Sequence, residues 1–225
     1  MDLEKKPSST HANRPVVAKI DLSKPTQAKK SSIKSLTKGF FKNFVMPIGL
    51  LVLVHLFVFQ PFSVSGHSME PNISEGDYLI ITKAEINLAK LANHLGMEGY
   101  GIKRGDIVVL KFPSNPGRYF IKRVIGLPGE RLVISQGKIT IYNQQNPDGF
   151  TLDEYYIDQD QVTLGDQDVQ ITDDNFFVIG DNRSPNGSYD SRSWGLLPYQ
   201  NIVGISRLRV LPSEHFGATA SAEYN

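Results

Sequence analysis

The stretch Tyr119-Phe120-Ile121-Lys122-Arg123-Val124-Ile125-Gly126-Leu127-Pro128-Gly129-Glu130 decides the fold. Its first seven residues are dominated by aromatic and β-branched side chains, which favour a strand. Its last four carry proline at the second position and glycine at the third, the signature of a type II turn. Side chains alternate between faces along a strand, so Phe120, Lys122 and Val124 share one face. Tyr119, Ile121, Arg123 and Ile125 take the other. A lysine between apolar neighbours on its own face loses water, which lowers its pKa and leaves a neutral amine able to accept a proton. From the strand alone, a lysine whose stem packs on the sheet while its ammonium reaches solvent remains the alternative.

The same texture extends on both sides. Tyr78–Ile81, Ile107–Phe112, Arg131–Ile134, Lys138–Tyr142, Phe176–Ile179 and Ile202–Leu211 are short runs rich in Val, Ile, Phe and Tyr, separated by Gly, Pro, Asp and Asn clusters. The expected fold class is mainly β, with several small antiparallel sheets. Residues 131–175, polar and acidic in their later part, read as a peripheral insert. Only Glu85–Leu95 reads as helix, with Leu88, Leu91 and Leu95 at helical spacing and Gly96 as its stop. That leucine stripe is expected to face the core.

The 225 residues are unevenly charged. Residues 1–43 hold ten Lys or Arg against three acidic residues, a net of +7, and the rest of the chain carries −6. Residues 1–37 read as a disordered, basic linker, so 1–43 form a tail and 44–64 a membrane-spanning anchor. From Phe44 to Phe59 the chain is nearly all apolar, with His55 its one titratable residue, and extension to Val64 reaches the length a spanning helix needs. The basic flank keeps the N-terminus cytoplasmic and puts residues 65–212 outside, at the plasma (inner) membrane, with 213–225 as a flexible C-terminal tail. A cleaved signal peptide is the rival reading, with Ser63-Val64-Ser65 as its small-x-small site. The tail has no aromatic residue before Phe40 and no helical apolar period, unlike what a nucleic-acid binder would need. With no cysteine in the chain, disulfides, Cys-ligated zinc and a cysteine nucleophile are excluded.

Ser68 follows Gly66-His67 and precedes Met69-Glu70-Pro71, a sequence that forces a sharp turn. Such a turn can project a hydroxyl and aim backbone N–H groups at one point. His67 is a poor base for Ser68, because adjacent side chains in extended chain face opposite ways. His94 and His215 lie in no motif-like setting. The loop 180–192 (G-D-N-R-S-P-N-G-S-Y-D-S-R) is dense in turn-fixing side chains, and Asp190 could pair with Arg192 to hold Ser188.

Four segments in this order, G-H-S-M-E-P (66–71), R-G-D-I-V-V-L-K-F-P (104–113), Y-F-I-K-R-V-I-G-L-P-G-E (119–130) and G-D-N-R…S-Y-D-S-R-S-W-G (180–195), resemble the type I (leader) signal peptidases, a Ser/Lys protease family. The resemblance runs from about Phe40 to Leu211. It implies a serine endopeptidase with Ser68 as nucleophile, Lys122 as general base, and Ser188 orienting the Lys122 amine with support from Asp190 and Arg192. It also implies an oxyanion site at the Ser68 N–H and a fold of two β-rich parts. The implied reaction removes signal peptides from exported preproteins after small-x-small sites. The substrate would bind as an added strand whose first and third residues before the cut enter two shallow apolar pockets. Partners would be preproteins, membrane lipid and the export translocon; no nucleic acid, cofactor or metal is implied. Gly66 stands where some members carry a second oxyanion donor, Asn72 replaces the usual threonine, and the stretch from Arg183 to Ser188 is slightly long. A conjugation-system peptidase and an inactive anchored binding relative are the other readings. A self-cleaving repressor lacks the membrane span.

Overall fold

The computed structural model describes residues 38–225 apart from 96, 98, 159, 220, 223 and 225. The tail expected over 1–37 and the Gly96 stop lie outside the described residues. Residues 48–225 form one compact unit, and residues 38–47 before it are helical.

A π-helical turn at Phe41–Val45 precedes helix α1, Met46–Phe57. Among the described residues no helix is long and apolar enough to cross a membrane. The apolar run does not stay helical to Val64: α1 ends at Phe57, and Phe59–Ser63 is strand β1. Pro61 supplies the reason. It lacks the N–H a helix needs and disfavours helical geometry at Gln60, yet it fits an edge strand.

The remaining strands are β2 Tyr78–Thr82, β3 Ile107–Phe112, β4 Asn115–Gly126, β5 Arg131–Ser135, β6 Lys138–Tyr142, β7 Phe150–Thr151, β8 Gln167–Gln170, β9 Asn175–Ile179, β10 Leu197–Pro198, β11 Ile202–Leu211 and β12 Gly217–Ala218. They form two antiparallel sheets. The larger runs β1-β2-β11-β3-β4-β9-β10, with β12 against β11, and the smaller runs β7-β6-β5-β8. All seven strand-like runs read from the sequence are strands. The turn after β4 is as expected, with Gly129 at φ +82° and the Glu130 N–H bonded to the Leu127 carbonyl.

In β4 the alternation holds. Phe120 and Val124 pack in one apolar cluster with Val108, Leu110 and Phe176. Ile121 joins Val64, Met69 and Leu79, and Ile125 packs with Leu132, Ile141, Phe177 and Ile179. This last cluster mixes residues of both sheets, so the smaller sheet shares its core with the larger one.

Helix α2, Ala84–His94, buries Ile86 in the first cluster. The leucine stripe does not face the core as expected. Leu88, Leu91 and Leu95 are 67%, 59% and 75% exposed. At 100° per residue they lie opposite Ile86, and one short helix can turn only one face inward. The stretch expected to be a flexible tail is also structured where it is described. Its β12 pairs with β11, Ala222 is buried, and the Tyr224 hydroxyl donates to that of Tyr156 at 2.9 Å.

Candidate active site

Ser68 sits in a turn just past β1. The Val64 N–H bonds the Asp77 carbonyl, the Gly76 N–H bonds the Val64 carbonyl, and the Ile73 N–H bonds that of Met69. Gly66, at φ +93°, starts the turn in a conformation that side chains resist. The Ser68 carbonyl accepts from the Asn182 N–H, and that of His67 accepts from the Asn182 side chain. Loop 180–190 is thereby tied to the serine. The approach is so close that a Cβ on Gly180 would lie 2.3 Å from the Ser68 carbonyl oxygen.

Lys122 Nζ lies 2.7 Å from Ser68 Oγ and donates to the Ile121 carbonyl, also at 2.7 Å. Lys122 is only 3% exposed. Burial drives its amine down to about 8, against the upward pull of the Asp190 and Asp181 carboxylates and with a small downward push from Arg192. Roughly a tenth of the amine is therefore neutral at pH 7, far more than for a solvated lysine. Among the described residues the Ser68 N–H has no acceptor, which leaves a backbone donor beside the hydroxyl. No second donor is evident at Gly66, whose N–H is turned onto Glu75.

His67 turns away, as the alternation required. Its exposed ring pairs with Glu70 at 2.8 Å and Glu75 at 3.4 Å. The Glu70 hydrogen bond and the two carboxylates hold it above its ordinary pKa, which suits it poorly as a base. His94 is the last residue of α2, and His215 lies in a 3₁₀ turn with its ring 3.9 Å from Asp77.

Asp190 and Arg192 pair through two hydrogen bonds of 2.9 and 2.8 Å. Asp190 also caps the short helix α3, Ser191–Trp194, and accepts the Gly180 N–H. Burial alone would raise its carboxyl, but Arg192, together with the Gly180 N–H and the Ser188 hydroxyl, holds it below the usual range. Ser188 differs from expectation. Its hydroxyl is buried against Gly180 and makes no hydrogen bond to Lys122; the group it acts on, from outside ordinary hydrogen-bond geometry, is the Asp190 carboxylate, and the Ile121 carbonyl holds the amine.

Two supporting residues escape the sequence reading. Arg123, on the face of β4 opposite Lys122, makes a fully buried bidentate bond to Asp181 at 2.8 and 2.6 Å and lies over the Tyr156 ring. Asn72 donates to Asp181 at 2.9 Å and to the Tyr156 carbonyl at 2.7 Å. The turn holding Ser68 and the strand holding Lys122 thus grip one carboxylate. The available signal was an arginine among Ile121 and Ile125, since a buried charge needs a partner. Arg183 pairs with Glu154 and also donates from Nε to the Gly180 carbonyl of its own loop at 3.0 Å.

Between Phe62–Ser65 and Tyr119–Lys122 runs a cleft of about 130 Å³, floored by Leu79 and Val109 and ending at Ser68 and Lys122. β1 and β4 stand four places apart in sheet order. The sheet curls enough to bring the Phe62 and Tyr119 rings to 5.6 Å.

The family described as signal peptidase, peptidase S26, matches residues 37–211. A probable signal peptidase I-1 of Synechocystis sp. is 32% identical over 179 residues, 76% of this chain and 81% of that protein. Signal peptidase I of Leptolyngbya laminosa is 36% identical over 186 residues, 77% of this chain and 81% of that protein. Signal peptidase I of Bacillus amyloliquefaciens is 29% identical over 191 residues, 83% of this chain and 95% of that protein. With a match of this length added to the geometry of Ser68 and Lys122, the chain belongs to the signal peptidase family, peptidase S26.

Proposed function

We propose that this serine peptidase removes signal peptides from exported preproteins with Ser68 as nucleophile and Lys122 as general base. The observation that carries the reading is the 2.7 Å contact between Ser68 Oγ and a buried lysine amine. The neutral amine takes the Ser68 proton as the oxygen attacks the scissile carbonyl, and the Ser68 N–H stabilises the resulting oxyanion. The lysine ammonium then protonates the leaving amine. Water, deprotonated by the same lysine, hydrolyses the ester and frees Ser68.

Asp190 and Arg192 fix the loop behind this pair. Ser188 acts as a positioning residue for Lys122, its buried hydroxyl lying against Gly180 beside the Ser68 carbonyl and acting on the Asp190 carboxylate, whose charge the lysine amine feels. The substrate lies as a strand in the cleft between Phe62–Ser65 and Tyr119–Lys122. That cleft, about 130 Å³, is well below the 300 Å³ or more of a typical small-molecule pocket and suits small side chains before the cut. Strand alternation turns the first and third of them toward its walls together. The apolar, exposed residues of 40–52 serve as the membrane anchor, which keeps the site at the bilayer surface where preproteins emerge from the translocon. In this arrangement the N-terminus is cytoplasmic.

The test is cleavage of a preprotein bearing an Ala-x-Ala site by the detergent-solubilised enzyme, with product masses read. The wild type should cut once, after the second alanine. Ser68→Ala should abolish the cut, and Lys122→Ala should lower kcat by about 10²–10⁴-fold. A cut that survives Lys122→Ala would remove Lys122 as base.

A further inference from the structure

We infer, taking Ser68 as the nucleophile proposed above, that Asn182 positions the oxyanion donor by holding the peptide planes on both sides of that serine.

The Ser68 N–H shares its peptide plane with the His67 carbonyl. That peptide is trans, so its C=O and N–H point in opposite directions. Whatever grips the His67 carbonyl therefore aims the Ser68 N–H. The Glu70 N–H grips it at 3.2 Å from within the turn, and Asn182 Nδ2 grips it at 3.0 Å from a loop 115 residues further along the chain. The next peptide plane is held by the same residue, because the Asn182 N–H donates to the Ser68 carbonyl at 3.1 Å. The Glu70 bond moves with the turn, whereas the two Asn182 bonds tie the turn to loop 180–190. The ion pairs of His67 with Glu70 and Glu75 are exposed and hold the turn weakly.

Asn182 is itself fixed. Its Oδ1 accepts from the Ser184 N–H at 3.2 Å and from the Ser184 hydroxyl. This decides which end of the amide faces His67, since its nitrogen donates and its oxygen accepts. A Cβ on Gly187 would lie 2.3 Å from Oδ1, so the loop closes tightly over the amide. On either side, Asp181 is anchored by Arg123 and Arg183 by Glu154. Rigidity of this kind is what an oxyanion donor needs, because it stabilises charge best when aimed before the charge develops.

The full chain in detergent is compared with Asn182→Ala and with Asn182→Asp. The aspartate keeps the shape and the bonds from Ser184 but sets an oxygen against the His67 carbonyl. Cleavage is read on the plateau above the Lys122 limb, where the added charge does not act through the lysine. The second probe is a peptide aldehyde ending in Ala-x-Ala. Ser68 Oγ adds to the aldehyde carbon, the serine proton passes to Lys122, and the former carbonyl oxygen sits where the oxyanion forms. We expect kcat to fall by about 10–100-fold in both variants, less than the loss of a donor outright. KM should stay nearly unchanged, and the aldehyde should bind more weakly by a similar factor. A folded variant with unchanged kcat or undiminished aldehyde binding overturns the proposal. So does a loss confined to KM, or a displaced pH limb in Asn182→Ala, which would put Asn182 to work on substrate binding or on Lys122. If denaturant unfolding shows neither variant folded, Asn182 is a scaffold residue and the proposal is overturned as well. Ser68→Ala separates the two readings. A cut that survives it removes Ser68 as nucleophile, whereas a dead Ser68→Ala beside a fully active Asn182→Ala removes Asn182 alone.

Discussion

At the scale of single residues the site turns on the cost of burying a lysine. Free lysine is protonated at neutral pH, and removing the ammonium from water penalises that form. At Lys122 this brings the pKa to about 8. The rate of preprotein cleavage should therefore rise with pH along a limb centred near 8 and level off above it. A limb at the ordinary lysine value would mean that Lys122 is solvated when active. The same shift bears on stability. A pKa lower in the folded than in the unfolded state means that protonation favours unfolding. The penalty is full below about 8 and fades as pH climbs toward the ordinary value. Lys122→Met, of similar length and apolar, should then be inactive yet more stable at pH 7, by on the order of 3 kcal/mol at most. Denaturant unfolding of both proteins at pH 7 and pH 10 would check it, with the gap expected to shrink at the higher pH.

At the scale of elements, β4 does two jobs because a strand has two faces. One presents Lys122 to Ser68, and the other presents Arg123 to Asp181, which stands next to the glycine that packs on Ser68. A buried ion pair adds little net stability, but breaking it strands a charge. Arg123→Met should cost about 3–5 kcal/mol by denaturant unfolding, and Arg123→Met with Asp181→Leu should recover part of that loss. If the single variant is as stable as wild type, Asp181 has another counter-charge and this account of the loop is wrong. Helix α2 shows the limit of reading an element by period alone. Its leucine spacing correctly gives a helix with one apolar face, yet Ile86 rather than the stripe faces the core.

At the scale of the whole molecule, the C-terminal segment is part of the scaffold. Ser221 donates to Asp106, Ala222 is buried, and Tyr224 reaches Tyr156, whose ring lies on Arg123. This path links the end of the chain to the strand that carries Lys122. Tyr224→Ala should lower stability by about 1–3 kcal/mol, measured by thermal or denaturant unfolding. An unchanged midpoint would show that the segment contributes nothing to the fold. The curled sheet is a second property at this scale, because only curling brings β1 to the far half of β4 and creates the cleft.

The sequence by itself determined the seven main strands, the Leu127–Glu130 turn, the turning of His67 away from Ser68 and the candidate pair Ser68 and Lys122. These follow from near-neighbour rules: alternation along a strand, proline and glycine geometry, and the types of side chain that can do chemistry. Other features were decided only by the tertiary structure. Ser68 and Lys122 are 54 residues apart, and their 2.7 Å contact depends on how strands between them stack. The grip of Arg123 and Asn72 on Asp181 and the outward turn of the leucine stripe depend on the same packing. So does the burial of the Ser188 hydroxyl, which comes against Gly180 only when loop 180–190 folds back on itself. Local patterning specifies which face a side chain takes, but the surfaces opposite that face come from distant parts of the chain.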